Sequence, residues 1–496
     1  VKEIMFVPKQ FKNASLDGGN FKLTFRYNKD LIHWVKKQFD IHIWNPEKKC
    51  WFIPAQLTNL QHIRKNGFEL DESILQWESS LTDKPKGFTT TNHDRQSIEK
   101  RLQENGLQIP LRPYQLDGVA FAEKTQGKCL IGDQMGLGKT PQAIAWLLLH
   151  KKELETSIAL IVCPSSIKIN WKRELQKFAG IHATILQGRK PYAIKKSGCY
   201  VINYDILDGW REFLETIPLL VIICDEVHYM KNIQAKRTKA LKLLAKKPKH
   251  FLGLSGTPIV NKPIEFFTVL SILDKETFPN QWQYAMRFCA AKNNGYGWDF
   301  SGASNTKELH ALVTNRLMIR RLKSEVLTEL PPKQITINPF ELSNDKQYRK
   351  EEKFFAIQRE TIASLDAIES LKQTIWEGKK ESVFEWIEDF LEEDNKLVVF
   401  AHHRKTISDL MKRFKSIAVK LDGSTSMEDR QKSVDEFQTN PKIKLFFGNL
   451  KAAGIGITLT AASNAAFVEL GWNPGDHEQA EDRIHRIGQE SDSVNI

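Results

Sequence analysis

Four short runs constrain the fold of this chain more than anything else in it. "SIALIVCP", "CYVINYDIL", "LLVIICDE" and "HFLGLSGTP", between residues 157 and 258, are apolar, rich in β-branched residues and bounded by polar clusters. A strand with one wet face alternates apolar and polar residues; these do not, so each must be buried on both faces, as in a parallel sheet covered by helices. A second set, "KLVVFAHH", "IKLFFGN" and "AAFVELGW", begins at Lys396. The expectation is an α/β fold of two lobes, each a doubly wound parallel sheet, with ligands gathered where strands end in polar residues. At 496 residues the chain has room for three or four units of ~150 residues.

Outside these lobes the pattern changes. In "FKLTFRY", Phe21, Leu23, Phe25 and Tyr27 alternate with Lys22, Thr24 and Arg26, the period of a half-buried strand. A helix capped by Asp30 follows, with Leu31, Trp34, Val35 and Phe39 at helical spacing. The turn Asn45-Pro46-Glu47-Lys48 then separates two aromatic-rich strands, and a second helix is expected after Pro54. Residues 1–70 thus read as a small α+β unit. It holds twelve Lys or Arg against six Asp or Glu, a face that either contacts phosphate or is merely solvated. The polar stretch Asp71 to Asn92 reads as a linker (71–95), lobe one as 96–340, a charged helical projection as 341–395, and lobe two as 396–496. The projection carries one apolar face, Phe384, Trp386, Ile387, Phe390 and Leu391.

A net charge of +12 suggests a polyanionic partner, nucleic acid or an acidic membrane. No apolar run reaches the ~18 residues of a membrane span, and the expectation is a soluble intracellular protein with no membrane partner. The six cysteines show no metal-ligand spacing and four sit in apolar runs, as buried thiols in a reducing compartment do.

"IGDQMGLGKT" nearly fits the phosphate-loop pattern of a glycine, four residues and Gly-Lys-Thr, but Asp133 stands where the first glycine belongs. Such loops bind phosphate through backbone N–H groups at a helix start, with a lysine neutralising the anion. "VIICDEVH" supplies two adjacent acids at a strand end, Asp225 and Glu226, suited to hold Mg²⁺ and to polarise the attacking water. "LSGTP", Leu254 to Pro258, ends the next strand with small hydroxyls suited to sensing a γ-phosphate. "QAEDRIHRIGQ" sets Arg483 and Arg486 three apart on one helical face, within reach of a nucleotide across a cleft.

The ordered set "LRPYQLDG", "DQMGLGKT", "LIVCPSSIKINW", "VINYD", "DEVH", "LSGTP", "MIRRLKSEVLTELPPK", "VVFAHH", "AAGIGITLTAAS" and "WNPGDHEQAEDRIHRIGQ" resembles the Snf2 branch of superfamily 2 helicases. In that branch the loop commonly begins with an acid, so Asp133 is a family trait. "FAHH", "TLTAAS" and "ELGWNPG" are most similar to the HepA-related annealing helicases, and "FRYNKDLI" with "WNPEKKCWFIP" resembles the HARP domain that precedes their motor. Gln134, where glutamate is more usual, and Val227, where a small residue is commoner, are departures that remove no required charge. Members of the branch continue past Ile496 with a last strand and a tail.

The resemblance implies two RecA-like lobes with helical protrusions, a HARP-like N-terminal domain, and ATP with Mg²⁺ as cofactors. It implies that Met135, Gly136, Leu137, Gly138 and Lys139 of the loop, with Asp133, bind ATP, that Thr140 and Asp225 hold Mg²⁺, and that Glu226 is the base. Gln115 would read adenine, His228, Ser255 and Thr257 would couple the site to DNA, and Arg483 and Arg486 would act as arginine fingers beside Gln479 and Gly456. By motif position the DNA grips are Ser165, Ser166, Asn203, Tyr204, His403, Arg404, Thr458 and Trp472; Trp472 reads equally as core. The implied activity is an ATP-dependent translocase on duplex, forked or branched DNA that anneals strands or remodels forks, generally monomeric, with replication or single-strand-binding proteins as partners. A remodeller of protein–DNA complexes and an ATP-switched junction clamp are the alternatives. The compact motor favours a prokaryotic or phage cytoplasm or nucleoid over a eukaryotic nucleus.

Overall fold

A computed structural model describes residues 12–496, apart from 18–19, 40–41, 56, 83–87, 89, 258–261, 296, 315, 328, 359–364, 394 and 454–455. The apolar runs form the sheet of lobe one. Its seven strands lie in the order Met318–Ile319, Lys128–Ile131, His250–Leu254, Leu219–Asp225, Ile158–Cys163, Gly198–Asn203, Ala183–Ile185, every pairing parallel. Every residue of Ile158–Cys163 and Leu219–Asp225 is buried. Val221 and Ile223 share a core with Trp146 and Trp171, and Ile222 and Cys224 share the other with Trp210 and Phe267, one on each face of the sheet. Burying each such side chain contributes about 1.5–3 kcal/mol, which is why no polar residue interrupts these runs.

Lobe two is a six-stranded parallel sheet, ordered Lys333–Gln334, Val494–Asn495, Asn464–Phe467, Leu397–Ala401, Leu445–Asn449, Ala418–Leu421. Lys333–Gln334 already belongs to this sheet, so lobe one ends before residue 340, and a short last strand, Val494–Asn495, precedes Ile496. The helix Leu365–Leu391 does not project freely. Its Trp376, Val383, Phe384 and Ile387 are buried against Leu397, Val399, Leu410 and Phe447, with Trp386, Phe390 and Leu391 half-buried alongside.

The N-terminal unit is a five-stranded sheet, ordered Ile43–Asn45, Cys50–Pro54, Asn20–Phe25, Lys12–Asp17, Glu69–Leu70, antiparallel except for the last pairing. Its first helix, Lys29–Gln38, is capped by Asn28 and not by Asp30: the Asn28 side chain accepts from the Asp30 and Leu31 amides. The stretch expected to be a linker begins with a helix, Glu72–Thr82, that closes this unit. Ile74 is fully buried and Trp77 stands edge-on to Phe21 at 5.1 Å. Arg287 of lobe one lies 5.7 Å above the Trp77 ring and fixes the unit to the motor. All six cysteines are buried and free.

Candidate nucleotide cleft and DNA face

The strand Lys128–Ile131 ends in the glycine loop, which leads into the helix Lys139–Leu149. Gly136 and Gly138 take φ values of +84° and +73°, where a side chain is strained. At Gly138 an added Cβ would also come within 2.4 Å of Gln115 Nε2. The first-turn amides of the helix have no partner within it and form an anion site. Lys139 Nζ donates to the Asp133 carbonyl at 2.9 Å. Burial lowers its pKa, against the opposing charges of Glu226, Asp133 and Asp225. Gln115 is buried, donating to the Leu137 carbonyl at 3.2 Å and accepting from the Arg112 amide at 2.9 Å. It supports the loop with the same amide that was expected to face adenine.

Asp133 is where expectation and structure part. Its carboxylate is fully buried and does not line the cleft. It accepts from Arg321 Nε at 2.9 Å, from the Arg321 amide at 3.2 Å and from Gln142 Nε2 at 2.9 Å, and pairs with Arg321 Nη2. The acid ties the loop to the segment after Met318–Ile319, and its backbone carbonyl alone turns toward Lys139.

Asp225 and Glu226 end the central strand. Asp225 Oδ2 accepts from Trp171 Nε1 at 2.8 Å and Oδ1 from the Glu226 amide at 2.9 Å, leaving one lone pair on each oxygen for a cation or its water. Burial and the adjacent Glu226 charge raise the Asp225 pKa. Burial would raise Glu226 too, but His228, Lys139 and Arg483 hold it below the usual value, so it stays ionised. Glu226 takes φ +51° and its Oε2, 3.3 Å from His228 Nδ1, makes no hydrogen bond. A buried, ionised, unsatisfied oxygen next to the phosphate loop fits a nucleotide's metal or its attacking water. His228 Nδ1 is also 3.3 Å from Ser255 Oγ, which accepts from the Thr257 amide at 3.2 Å, so the three residues expected to couple the site to DNA are contiguous. Pro258 lies outside the described residues.

Lobe two closes the opposite wall. Arg483, buried and with its pKa lowered to about 10 by desolvation, donates Nε to the Gln479 carbonyl at 3.0 Å and Nη1 to the Ile457 carbonyl at 3.3 Å. Arg486 Nη1 donates to the same carbonyl at 3.2 Å, and Glu174 of lobe one acts on its charge. Gly456, at φ +71°, packs on lobe one so closely that a Cβ would fall 1.7 Å from Ile167 Cγ2. Together these groups bound a cleft of about 460 Å³, lined by Gln115, Gly136, Lys139, Thr140, Asp225 and Glu226 on one side and by Gly456, Arg483 and Arg486 on the other. Thr458, expected at DNA, lines this cleft instead, and Gln479 supports Arg483 through its backbone without lining the cleft.

The SNF2-related domain matches residues 114–394, more than half of the chain. The chain belongs to that family. The helicase conserved C-terminal domain matches residues 382–488. Among relatives, the SWI/SNF-related matrix-associated actin-dependent regulator of chromatin subfamily A-like protein 1 of Xenopus tropicalis is 36% identical over 421 residues, 81% of this chain and 43% of that protein. The DNA annealing helicase and endonuclease ZRANB3 of Bos taurus is 36% identical over 417 residues, covering 79% and 38%. The Caenorhabditis elegans homolog of the first is 32% identical over 505 residues, covering 96% and 71%. The chain therefore spans less than half the length of the two vertebrate proteins.

The DNA candidates of this SNF2-related chain divide. Ser165 is exposed and Ser166 half-buried in the turn after Ile158–Cys163, and Arg404 is exposed at the start of the helix Arg404–Phe414. Trp472 is 63% exposed, with Lys372 Nζ 4.3 Å over its ring, so it is not core. Asn203 and Tyr204, also expected at DNA, are buried. Asn203 Oδ1 accepts from Lys168 Nζ at 2.9 Å, and Tyr204, 1% exposed, donates to the Asp225 carbonyl at 2.8 Å. Tyr204 thereby braces the strand that ends in Asp225. His403 is held between Glu469, at 3.0 Å, and Glu369, so its charge is already matched. Sequence reasoning missed Arg321, Lys168, Glu174 and Lys323; the first and last lie in "MIRRLK", whose cation pairs were a signal for buried anions. Among the described residues no helix is long and apolar enough to cross a membrane.

Proposed function

We propose that the chain is an ATP-hydrolysing motor that translocates on duplex DNA and acts at forked or branched substrates. The observation that carries this is the cleft itself: Lys139 and Glu226 stand on one lobe, Arg483 and Arg486 on the other, around a single cavity. Lys139 and the loop amides would hold the β- and γ-phosphates, Glu226 would take the proton of the attacking water, and the two arginines would meet charge developing on the transferred phosphoryl group. Thr140 and Asp225 would hold Mg²⁺, which when bound neutralises the phosphate oxygens. Because the arginines must approach from the second lobe, nucleotide occupancy and lobe closure are linked. With Ser165 on lobe one and Arg404 and Trp472 on lobe two as DNA contacts, closure shortens the distance between two grips on one strand. The HARP-like N-terminal unit supplies the preference for branched DNA, in keeping with a relative named as an annealing helicase.

The test is ATP hydrolysis with no DNA, single strands, blunt duplex and a forked junction at one salt concentration. The proposal expects duplex to stimulate and the fork to stimulate more, with Glu226→Gln abolishing both. Turnover indifferent to DNA would remove the motor reading.

A further inference from the structure

A second cavity, about 200 Å³, lies where the N-terminal unit meets lobe one, lined by Asn20, Ile43 and Pro54 on one side and by residues of 277–288, including Trp282, on the other. Cross-strand register places Asn20 beside Pro54, and Lys22 and Ile43 beside Phe52. Partners across a sheet share a face, so these residues form one face, opposite that of Phe21, Leu23, Trp51 and Ile53, which is sealed by the core. The free face is wet: Ile43 is 57% exposed, Phe52 half-buried, and Lys48 Nζ stands 5.7 Å over the Phe52 ring and makes an exposed ion pair with Asp17 at 3.1 Å, which solvent screens. Across the cavity, Trp282 begins the helix Gln281–Phe288 and is 46% exposed. It meets Trp298, itself exposed on the hairpin Lys292–Asn293/Trp298–Asp299, edge-on at 5.4 Å, and Phe300 at 5.5 Å. Lys292 pairs with Asp299 on this hairpin, and the charge of Lys262 reaches the same carboxylate.

Two indoles that meet edge-on, 46% and 38% exposed, with Phe300 stacked on Trp298 and lysines nearby, are poorly suited to water and well suited to flat π-systems joined by an anionic backbone. Paired bases are already stacked and offer no face. We propose that this composite surface is a base-stacking platform for an unpaired DNA strand, with bases on Trp282 and Trp298 and the backbone along Lys22, Lys48, Lys262 and Lys292. This rests on the DNA-motor reading and deepens it, since it locates the recognition of branched over plain duplex DNA at the seam between the N-terminal unit and lobe one. Stacking is sequence-tolerant, so the platform reads strandedness and not sequence.

The experiment uses the whole chain as wild type, as Trp282→Ala/Trp298→Ala and as Trp282→Phe/Trp298→Phe. Each is titrated against labelled oligo-dT, a fork with oligo-dT arms and a blunt duplex at one salt concentration. 5-Iodouracil in the fork arm is photo-crosslinked and mapped. The alanine pair is expected to weaken oligo-dT and fork binding by about tenfold or more, with duplex binding unchanged, the phenylalanine pair close to wild type, and crosslinks on Trp282 or Trp298. Unchanged oligo-dT binding in the alanine pair, a parallel loss on duplex, or crosslinks confined to other residues would overturn the proposal. Should the alanine pair melt early, the phenylalanine pair and the wild-type crosslink map decide. Tryptophan-dependent oligo-dT binding without DNA-stimulated hydrolysis would sink the motor reading and leave the platform standing.

Discussion

Glycine at position 133 would complete the phosphate-loop pattern, and we expect it to destabilise lobe one. Asp133 is fully buried and the Arg321 side chain is 12% exposed. Removing the carboxylate takes away the bonds to Arg321 Nε, Nη2 and backbone amide and to Gln142. The guanidinium keeps the Tyr114 carbonyl and Gln142 Oε1, neither of which carries charge. Breaking a buried pair from one side costs about 3–5 kcal/mol, and the added backbone freedom of glycine costs about 0.5–1 kcal/mol more. At about 2–4 °C per kcal/mol for a unit of this size, a total of about 4–6 kcal/mol lowers the midpoint of lobe one by roughly 8–24 °C. Differential scanning calorimetry of Asp133→Gly checks the fall. Asp133→Gly with Arg321→Met should recover at least half of it, because no unpaired charge remains buried. A single variant melting within about 2 °C of wild type, or a double variant no better than the single, would refute the argument that this pair anchors the loop.

Three further outcomes follow from the cleft and its surroundings. Gly456→Ala should cut ATP turnover at least about a hundredfold, since the contact with Ile167 blocks closure and the left-handed backbone adds about 1–2 kcal/mol; adding Ile167→Ala should restore part of it in steady-state kinetics. Glu226→Gln should lower turnover by about 10²–10⁴-fold while nucleotide binding, followed by fluorescent-nucleotide titration, is retained. Burial lowers the His150 pKa, but hydrogen bonds to Glu123 and Glu153 outweigh it and the net shift is upward from 6.5. The pairing thus stabilises fully below the unfolded value and is lost as pH rises through the folded one. The melting-temperature gap between wild type and His150→Gln should accordingly be widest near pH 5.5 and close toward pH 9.

The two sheets were legible because burial on both faces leaves a run with no polar position, and the acids and arginines because strand ends and helix spacing bring charge to the cleft. Local side-chain direction was not legible. Asn203 ends its strand and Tyr204 follows it, as motif position implies, yet Tyr204 turns inward to the Asp225 carbonyl, a choice made by a strand two places away in the sheet and not by its own run. The strand Lys12–Asp17 fully buries Ala14 alone, and the helix Glu72–Thr82 packs Ile74 and Trp77 on the core. The strand has too few apolar residues for a period, whereas the helix carries Ile74, Trp77 and Leu81 at helical spacing, outweighed by the polar residues between them. Both are held by partners distant in sequence. The Asn28 cap was overlooked because Asp30, two residues on, is an equally good capping type; only the extended backbone at Asn28 separates them.

The anomaly at Asp133 makes sense once the segment after Met318–Ile319 is followed residue by residue. Arg320 Nη1 donates to the carbonyls of Gly132 at 2.7 Å and Gly256 at 3.0 Å, bridging the phosphate loop and the loop that follows His250–Leu254. Arg321 holds Asp133. The Lys323 amide donates to Gln134 Oε1 at 2.8 Å, and its Nζ crosses to lobe two, pairing with Asp482 and donating to the His485 carbonyl at 2.6 Å. Within four residues the chain touches the phosphate loop, the coupling loop and the segment that carries both arginines. Two of these three cations are fixed on lobe one, and Lys323 joins that lobe to Asp482 and His485 of lobe two. Burial lowers the Lys323 pKa while the Asp482 charge opposes the shift. The acid at 133 is bound to this strip and does not line the cleft. A glycine there would free the loop from the segment that contacts both lobes.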